Sequence, residues 1–317
     1  FTRLPRIDVQ RGAVLEEQSR ATSGQARYLE GLDRTARLVV RGGAGTGKSL
    51  ALAEGAKQEA DRGRSVLITF RSPGLTSFFE TLVGDRGIDV IPFGQLVPDR
   101  TYDAVFVDEA QDLMNAAAMD RLDLVVAGGR AAGRWRMFLD PNNQARVDGE
   151  FDPDVHDLVL DEAVTFELPM NVRNTKPIVH VVQSYLGADI GDPAIVHGEE
   201  LHWHEVPAPA DVTAAEAVAE NLIEQGVHPH SIWLIDCSSS EPPHRDQRGL
   251  LITSPRRAKG LEADRVIVCS LPEIFDEFGT SAFYVAVTRA RVALHLVIAV
   301  QDRKRLQTML RASLETR

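Results

Sequence analysis

A glycine-rich stretch near residue 45 carries residue types suited to phosphate chemistry. It follows the pattern G-x-x-x-x-G-K-[ST] and consists of Gly42, Gly43, Ala44, Gly45, Thr46, Gly47, Lys48 and Ser49. Glycines let the backbone curl so that successive N–H groups converge on phosphate oxygens, and a following helix points its positive end there. Lys48 is expected to reach the β- and γ-phosphates and the Ser49 hydroxyl to hold Mg²⁺. Taken alone, the pattern leaves a ligand-free turn between a strand and a helix as the alternative.

A pair of adjacent carboxylates forms the second chemical motif. The segment 105–112 reads Val-Phe-Val-Asp-Glu-Ala-Gln-Asp, so that an apolar run ends at Asp108 and Glu109. Asp108 suits the Mg²⁺ shell of a nucleotide site, and Glu109 can orient and deprotonate an attacking water. The alternative is a helix N-cap with a favourable first-turn charge. With the glycine-rich loop upstream, the two motifs predict a protein that binds and hydrolyses a nucleoside triphosphate with Mg²⁺.

The elements that must position these residues can be predicted from the pattern of apolar runs. Leu38-Val39-Val40 leads into the glycine-rich loop, and the run from Leu50 to Glu54 has helical composition. Further strands are predicted at 65–70, 90–91, 105–107 and 136–140. Strands that alternate with helices predict an α/β fold with a mainly parallel sheet covered by helices. Ligands then bind at the carboxyl ends of the strands, where 42–49, 108–109 and 140–144 all lie.

A second alternating region follows and has no glycine-rich loop of its own. Its predicted strands are 201–206, 231–235, 249–253, 265–269 and 293–300, and its predicted helices are 213–225 and 281–291. The Ser-, Pro- and charge-rich segment 237–247 is predicted to be a loop.

Composition limits the class of protein. The 317 residues are enough for two domains, and 44% apolar with 26% charged residues is typical of a soluble globular protein. No apolar run is long enough to span a bilayer, and the polar N-terminus does not resemble a signal peptide. From the start at Phe1 we expect a processed, truncated or partly observed chain. Cys237 and Cys269 are too few for a disulfide framework, which favours a cytoplasmic location.

The net charge of −11 argues mildly against a large basic surface for nucleic acid. The charge is unevenly distributed, however. Residues 245–317 contain 13 Lys+Arg against 8 Asp+Glu, a local balance of +5 that leaves −16 for the remainder. A locally basic groove on an acidic body is compatible with this distribution.

Six segments, in order, resemble the motifs of the UvrD/Rep-type superfamily 1 helicases, and the match runs over nearly the whole chain. The first two are the glycine-rich loop and the Asp-Glu-Ala-Gln-Asp segment. The other four are similar to the third to sixth motifs of that family: 140–144 (Asp-Pro-Asn-Asn-Gln), 168–175 (Leu-Pro-Met-Asn-Val-Arg-Asn-Thr), 254–264 (Ser-Pro-Arg-Arg-Ala-Lys-Gly-Leu-Glu-Ala-Asp) and 284–291 (Tyr-Val-Ala-Val-Thr-Arg-Ala-Arg).

The resemblance implies two RecA-like domains, residues 1–165 and 166–317, with ATP in the cleft between them. Gln25, which alone reads as an ordinary helix-start residue, would then recognise adenine. Gln144 would sense the γ-phosphate and Glu262 would contact the ribose. Arg173 and Arg289 would reach across from the second domain as arginine fingers, which stabilise the charge of the transferring phosphoryl group. The implied function is ATP-driven movement along single-stranded DNA, in the 3′→5′ direction.

Several positions depart from the family pattern, and those at residues 50 and 172 imply looser recognition of the nucleotide base. Val172 stands where the family has a base-stacking tyrosine, and Leu50 stands where it often has an arginine. Gln144 is followed by Ala145, Arg146 and Val147 instead of an aromatic residue that stacks on DNA. Base–aromatic stacking contributes about 1–3 kcal/mol per base, so its loss weakens the grip on a strand. The large accessory insertions of the family are also absent, so the chain resembles a compact form of it. The missing aromatic residue and the missing insertions favour an alternative function, a nucleotide-gated ATPase switch that controls an attached nuclease or another partner without processive unwinding.

Donors suited to phosphates remain along the expected strand-binding path. They are Arg71, Ser72, Arg146, Ser254 and Arg256, and the last replaces a family histidine. None is an evident base reader, so binding to single-stranded DNA, or alternatively RNA, is expected to be phosphate-dominated. His202 and His204 flank Trp203, and with no further ligand nearby in sequence a solvated or core-edge pair is favoured over a metal site.

Overall fold

The chain divides into two compact units. The computed structural model describes residues 12–21, 35–142, 150–195, 198–199, 201–272, 277–301, 303, 304 and 308. The first unit is Ala21–Pro169, and the second is Met170–Arg317 together with the chain up to Arg20. These units divide at Pro169/Met170, four residues after the predicted domain boundary at 165/166, and the N-terminal helix belongs to the second unit.

The first unit is built on a six-stranded sheet in the order β3-β2-β4-β5-β1-β6. Its strands are β1 (Arg37–Arg41), β2 (Val66–Phe70), β3 (Asp89–Pro92), β4 (Ala104–Val107), β5 (Trp135–Leu139) and β6 (Val164–Glu167). All five pairings between neighbours are parallel. Its α-helices are α2 (Lys48–Asp61), α3 (Thr76–Val83), α4 (Ala116–Val125), α5 (Gly129–Ala132) and α6 (Pro153–Asp161), and short 3-10 turns lie at Pro73–Leu75, Phe93–Gln95 and Ala110–Leu113.

Local sequence accounts for these elements. Every residue of β2, β4 and β5 is buried, as expected for central strands of a parallel sheet with both faces covered. Asn115 caps α4 by accepting a hydrogen bond from the backbone N–H of Ala118, and Asp152 caps α6 in the same way. Phe70 and Phe93 are both buried, as expected of core residues.

The second unit contains a six-stranded sheet in the order β11-β12-β10-β13-β14-β9 and a two-stranded parallel sheet β7-β8. Its strands are β7 (Met170–Thr175), β8 (Asp192–Ile195), β9 (His202–Val206), β10 (Ile232–Asp236), β11 (His244–Arg245), β12 (Leu251–Thr253), β13 (Ala263–Cys269) and β14 (Ala290–Ala299). Only the β11–β12 pair of the larger sheet is antiparallel. Its helices are α1 (residues 12–21), α7 (Lys176–Leu186), α8 (Val212–Glu224), α9 (Pro255–Ala258) and α10 (Glu277–Thr288), with a 3-10 turn at Pro229–Ser231.

Two expected boundaries differ from the structure. The helix predicted over 281–291 ends at Thr288, and Arg291 lies on β14 instead. Ala290 pairs with Ala263 of β13, so β14 begins before the predicted start at residue 293. The pairing between strands determines this boundary, which the apolar pattern of the sequence does not define. The segment 237–247, predicted to be a loop, contains the short edge strand β11.

Helix α1 packs on the second unit, although it is the first described element of the chain. Val14 forms a small apolar cluster with Ile195 and Val292. The amide of Gln18 donates to the backbone oxygens of Arg173 and Arg291, at 2.5 and 3.2 Å. The predicted fold class, α/β with mainly parallel sheets and helices around them, is confirmed. None of the helices in the described part of the chain is long and apolar enough to cross a membrane.

Candidate nucleotide-binding site

The glycine-rich loop joins the carboxyl end of β1 to α2. Gly42 donates a backbone hydrogen bond to the carbonyl of Leu139, which ties the start of the loop to the end of β5. Gly47 has φ of 81°, a conformation that glycine adopts at little cost, and α2 begins at the next residue. A Cβ on Gly42 would lie 2.5 Å from Oγ1 of Thr46. The loop therefore needs glycine both for its conformation and for its close packing.

Lys48 is buried beneath the loop. Its ammonium group donates hydrogen bonds to the carbonyl oxygens of Gly42 and Gly43, at 2.8 and 3.0 Å, and lies 3.9 Å from a carboxylate oxygen of Asp140. Only 7% of its surface is exposed. The charge is thus held at the carboxyl ends of β1 and β5, which are neighbours in the sheet.

Ser49 and Asp108 are brought together from different motifs. The Ser49 hydroxyl donates a 2.8 Å hydrogen bond to Oδ2 of Asp108, which follows β4. Asp108 is fully buried, and its Oδ1 has no hydrogen-bond partner within the described chain. Burial, followed by the neighbouring Glu109 carboxylate, raises the pKa of Asp108 to about 7, against the opposing effects of Ser49 and Lys48. A buried carboxylate oxygen beside a hydroxyl is a donor set that suits a hard cation.

Glu109 adopts a backbone conformation that is uncommon for a residue with a side chain. Its φ is 47° and its ψ is 44°, in the left-handed region. The side-chain amide of Gln111 donates to Oε2 of Glu109 at 2.5 Å, and the oxygen of the same amide accepts the backbone N–H of Asp140 at 3.0 Å. Gln111 therefore fixes the Glu109 carboxylate relative to the end of β5.

A second charged cluster lies within the second unit. Nε of Arg173 is 2.6 Å from Glu262, and Arg291 contacts the other oxygen of Glu262 at 3.4 Å. Burial by itself raises the pKa of Glu262, but Arg173 and Arg291 outweigh it and hold that pKa below its usual range. Gln18 accepts two hydrogen bonds from Arg291, at 2.6 and 2.9 Å. The structure thus brings Arg173 and Glu262 together and adds Arg291 and Gln18.

Arg289 is almost fully buried in the second unit. Its guanidinium donates to the carbonyls of Val285 and Leu261 and to the hydroxyl of Thr288, at 3.0 to 3.1 Å. These bonds join the end of α10 to the segment before β13. In this structure these bonds hold the Arg289 guanidinium within its own unit.

The other expected residues are distributed over both units or lie outside the described residues. Arg71 and Ser72 directly follow β2 in the first unit and are half-buried. Ser254 is buried at the start of α9, and Arg256 is exposed on that helix. Gln25, Gln144 and Arg146 lie outside the described residues.

Solved structures of viral helicases share this fold. A structure described as a PRRSV helicase matches 91% of this chain with 16% identity and a TM-score of 0.54. A structure of an arterivirus nonstructural protein 10 helicase in complex with DNA matches 92% of this chain, with 14% identity and a TM-score of 0.51. Another structure of an arterivirus nonstructural protein 10 helicase also matches 92% of this chain, with 16% identity and a TM-score of 0.52. This chain spans 56–65% of those chains. No protein-family model matches the sequence. No curated protein matches it either.

Two contacts of the first unit have no signal in the sequence. Gln111 was part of a recognised motif, but its bridging contact depends on the spatial proximity of β4 and β5. Glu59, in the last turn of α2, is fully buried and contacts Arg134 and Arg136 at 3.2 and 3.4 Å. A glutamate on a helix carries no sequence signal of burial, so only the fold reveals this contact.

Proposed function

We propose that the first unit binds ATP with Mg²⁺ and hydrolyses it. The observation that carries the proposal is the convergence of Lys48, the Ser49–Asp108 pair and Glu109 at the carboxyl ends of β1 and β4. Ligands of open α/β sheets bind at such ends. Lys48, now bonded to loop carbonyls, would donate to phosphate oxygens, and the loop N–H groups and the start of α2 would add favourable dipoles.

The residues present fit Mg²⁺ and a hydrolytic base. Ser49 and the unpartnered Oδ1 of Asp108 offer oxygen ligands, which Mg²⁺ prefers, and the bound ion would neutralise charge on the phosphates. Glu109, held through Gln111, would orient and deprotonate the attacking water. Gln25, Gln144 and Glu262 are proposed to contact the adenine, the γ-phosphate and the ribose.

The hydrolysis is proposed to drive movement along single-stranded DNA, in the 3′→5′ direction, as in UvrD/Rep-type superfamily 1 helicases. Six motifs in order and a fold shared with helicases, one of them solved with DNA, support this function. The assignment to the UvrD/Rep type rests on the motifs, since the viral helicases are 14–16% identical to this chain. Arg173 and Arg289 are proposed to stabilise the γ-phosphate during hydrolysis.

The test compares ATPase rates of wild type, Lys48→Ala and Glu109→Gln with no nucleic acid, single-stranded DNA, duplex DNA and RNA. Lys48→Ala should lose nucleotide binding. Glu109→Gln should bind ATP normally but retain it unhydrolysed, because only the base is removed. Wild-type turnover in Glu109→Gln would contradict the assignment of the base.

The second candidate is a nucleotide-gated switch that controls a nuclease or another partner. The observation in its favour is the absence of an aromatic residue among residues 145–147, where the family stacks a DNA base. A strand-displacement assay separates the two functions. ATP-dependent unwinding supports the motor, whereas ATP hydrolysis without any nucleic-acid stimulation supports the switch.

A further inference from the structure

A cluster of histidines lies at one edge of the second unit, in the larger sheet. β9 is the edge strand and pairs in parallel with β14, with His202 directly opposite His295 and His204 opposite Val297. Residues two apart on a strand share a face, so His202, His204 and His295 project to the same side. Trp203 lies between the first two on the other face and is 38% exposed.

The imidazole rings and one carboxylate are in direct contact. His295 stacks on His202 with ring centroids 4.5 Å apart, and Nε2 of His202 is 3.3 Å from Oε2 of Glu199. One ligand atom from each of Glu199, His202 and His295 lies within 4.8 Å of the others. From these residues we infer that Glu199, His202 and His295 bind a divalent transition-metal ion of the Zn²⁺ class. This site goes beyond the proposed nucleotide chemistry and uses none of its residues.

The hydrogen-bond pattern of the cluster leaves one ring nitrogen of His295 without a partner among the described residues. Nδ1 of His295 is 3.1 Å from Nε2 of His204, so one hydrogen bond occupies that side of the ring. The other nitrogen, Nε2 of His295, is buried and has no hydrogen-bond partner among the residues that the structure describes. A ligating histidine typically engages its second nitrogen in such a bond, which fixes the tautomer and the ring orientation. His204 therefore acts as a positioning residue.

Arg265 sets the position of the Glu199 carboxylate. Arg265 contacts Oε1 of Glu199 at 2.6 Å and leaves Oε2 on the side of His202. Arg265 repels a cation but also orients the carboxylate that binds it.

The donor set selects the class of metal. Two imidazoles and one carboxylate suit Zn²⁺, Ni²⁺ or Cu²⁺, whereas Mg²⁺ and Ca²⁺ prefer oxygen ligands alone. Tetrahedral zinc with bonds of about 2.0–2.2 Å requires ligand atoms roughly 3.3–3.5 Å apart. At its widest pair the cluster must therefore close by as much as about 1.3–1.5 Å, and the nearly parallel His202 and His295 rings must turn so that their in-plane nitrogen lone pairs converge on one ion. Three protein ligands leave the fourth position to water.

Calorimetric titration of the complete, tag-free chain with ZnCl₂ tests the site, after removal of metals with a chelator and in excess MgCl₂. We expect one Zn²⁺ per chain, and Co²⁺ should give the visible absorption bands of a tetrahedral site. His202→Ala and Glu199→Gln should weaken Zn²⁺ binding at least 100-fold, and His204→Ala about 10–100-fold. Because 40% of the His202 side chain is exposed, its removal is expected to leave the fold intact.

The matched control is His228→Ala, which disrupts another His-x-His pair of the same unit, with ring centroids 5.1 Å apart. The control should bind Zn²⁺ as the wild type does. The circular dichroism spectrum and the melting temperature of each metal-free variant show whether it is folded, so that weaker Zn²⁺ binding caused by a missing ligand can be distinguished from weaker binding caused by unfolding. Absence of stoichiometric Zn²⁺ binding in the wild type would overturn the inference, as would equal affinity in the wild type and His202→Ala. Neither result would affect the proposed ATPase, which is measured with Mg²⁺ alone.

Discussion

Replacement of Glu59 by alanine should destabilise the first unit severely. Glu59 is fully buried in the last turn of the helix that begins at Lys48. Its carboxylate contacts Arg134 and Arg136, whose side chains are 18% and 4% exposed, and also Arg62 and Arg64. The contacts attach α2 to β5.

The magnitude follows from the burial of these partners. Removal of one member of a buried ion pair costs about 3–5 kcal/mol, because the remaining charge keeps its desolvation penalty. Arg136 meets this condition, whereas Arg62 and Arg64, 43% and 37% exposed, each add at most about 1 kcal/mol. Domains are typically stable by about 5–15 kcal/mol, so the loss is a large fraction of the total.

Urea unfolding followed by tryptophan fluorescence measures the effect. Trp135 lies on β5 beside Arg136 and is buried, whereas Trp203 and Trp233 belong to the second unit. A background with Trp203→Phe and Trp233→Phe therefore makes fluorescence report the first unit alone. With a urea slope of about 2 kcal/mol per molar, the midpoint of Glu59→Ala should fall by about 1.5–2.5 M.

The matched control is Glu54→Ala on the same helix. Glu54 is 46% exposed and pairs with Lys57 at 3.5 Å, so its loss should change the free energy of unfolding by less than about 0.5 kcal/mol. If Glu59→Ala and Glu54→Ala had similar midpoints, the argument from burial would be refuted. Glu59→Gln should lie between the control and Glu59→Ala, because it keeps hydrogen-bonding capacity without the charge.

Three further predictions concern nucleotide and DNA. Gly42→Ala should weaken binding of a fluorescent ATP analogue by about tenfold or more, because its Cβ would clash with the loop, whereas Gly94→Ala, with open space around its Cβ, should not. Arg173→Ala should lower turnover by about 10³-fold or more with little change in ATP affinity, and equal losses in rate and affinity would count against it. Arg256→Ala should weaken oligo-dT binding in anisotropy titrations and reduce the slope of log K against log salt by about 0.7, and an unchanged slope would remove Arg256 from the phosphate contacts.

Local sequence patterns were enough to predict which residues of the first unit form the candidate site, because these residues directly follow short apolar strands. Each parallel strand ends at the same edge of the sheet, so residues 42–49 and 108–109 could be expected to meet before any coordinates were known. The contact that Gln111 makes between Glu109 and Asp140 could not be predicted from the sequence, because it depends on β4 and β5 being adjacent in the sheet.

The features that could not be predicted from the sequence depend on contacts between residues far apart in the chain. His295 is 93 residues from His202, and only the register of β9 with β14 brings the rings together. The sequence alone therefore favours a solvated or core-edge pair for His202 and His204. The packing of α1 on the second unit likewise depends on Gln18 reaching Arg173 and Arg291, for which a single sequence contains no local signal.

The route by which the chain leaves the first unit has a mechanical consequence. β6 pairs with β1 up to Arg41 opposite Glu167, and Leu168 donates its backbone N–H to the carbonyl of Arg41 at 2.8 Å. Leu168 also packs against Gly42, the first residue of the glycine-rich loop. Leu168 thus contacts both Arg41 and Gly42, at the start of the glycine-rich loop. A displacement of the glycine-rich loop that preserves this hydrogen bond and this contact would therefore also displace Leu168.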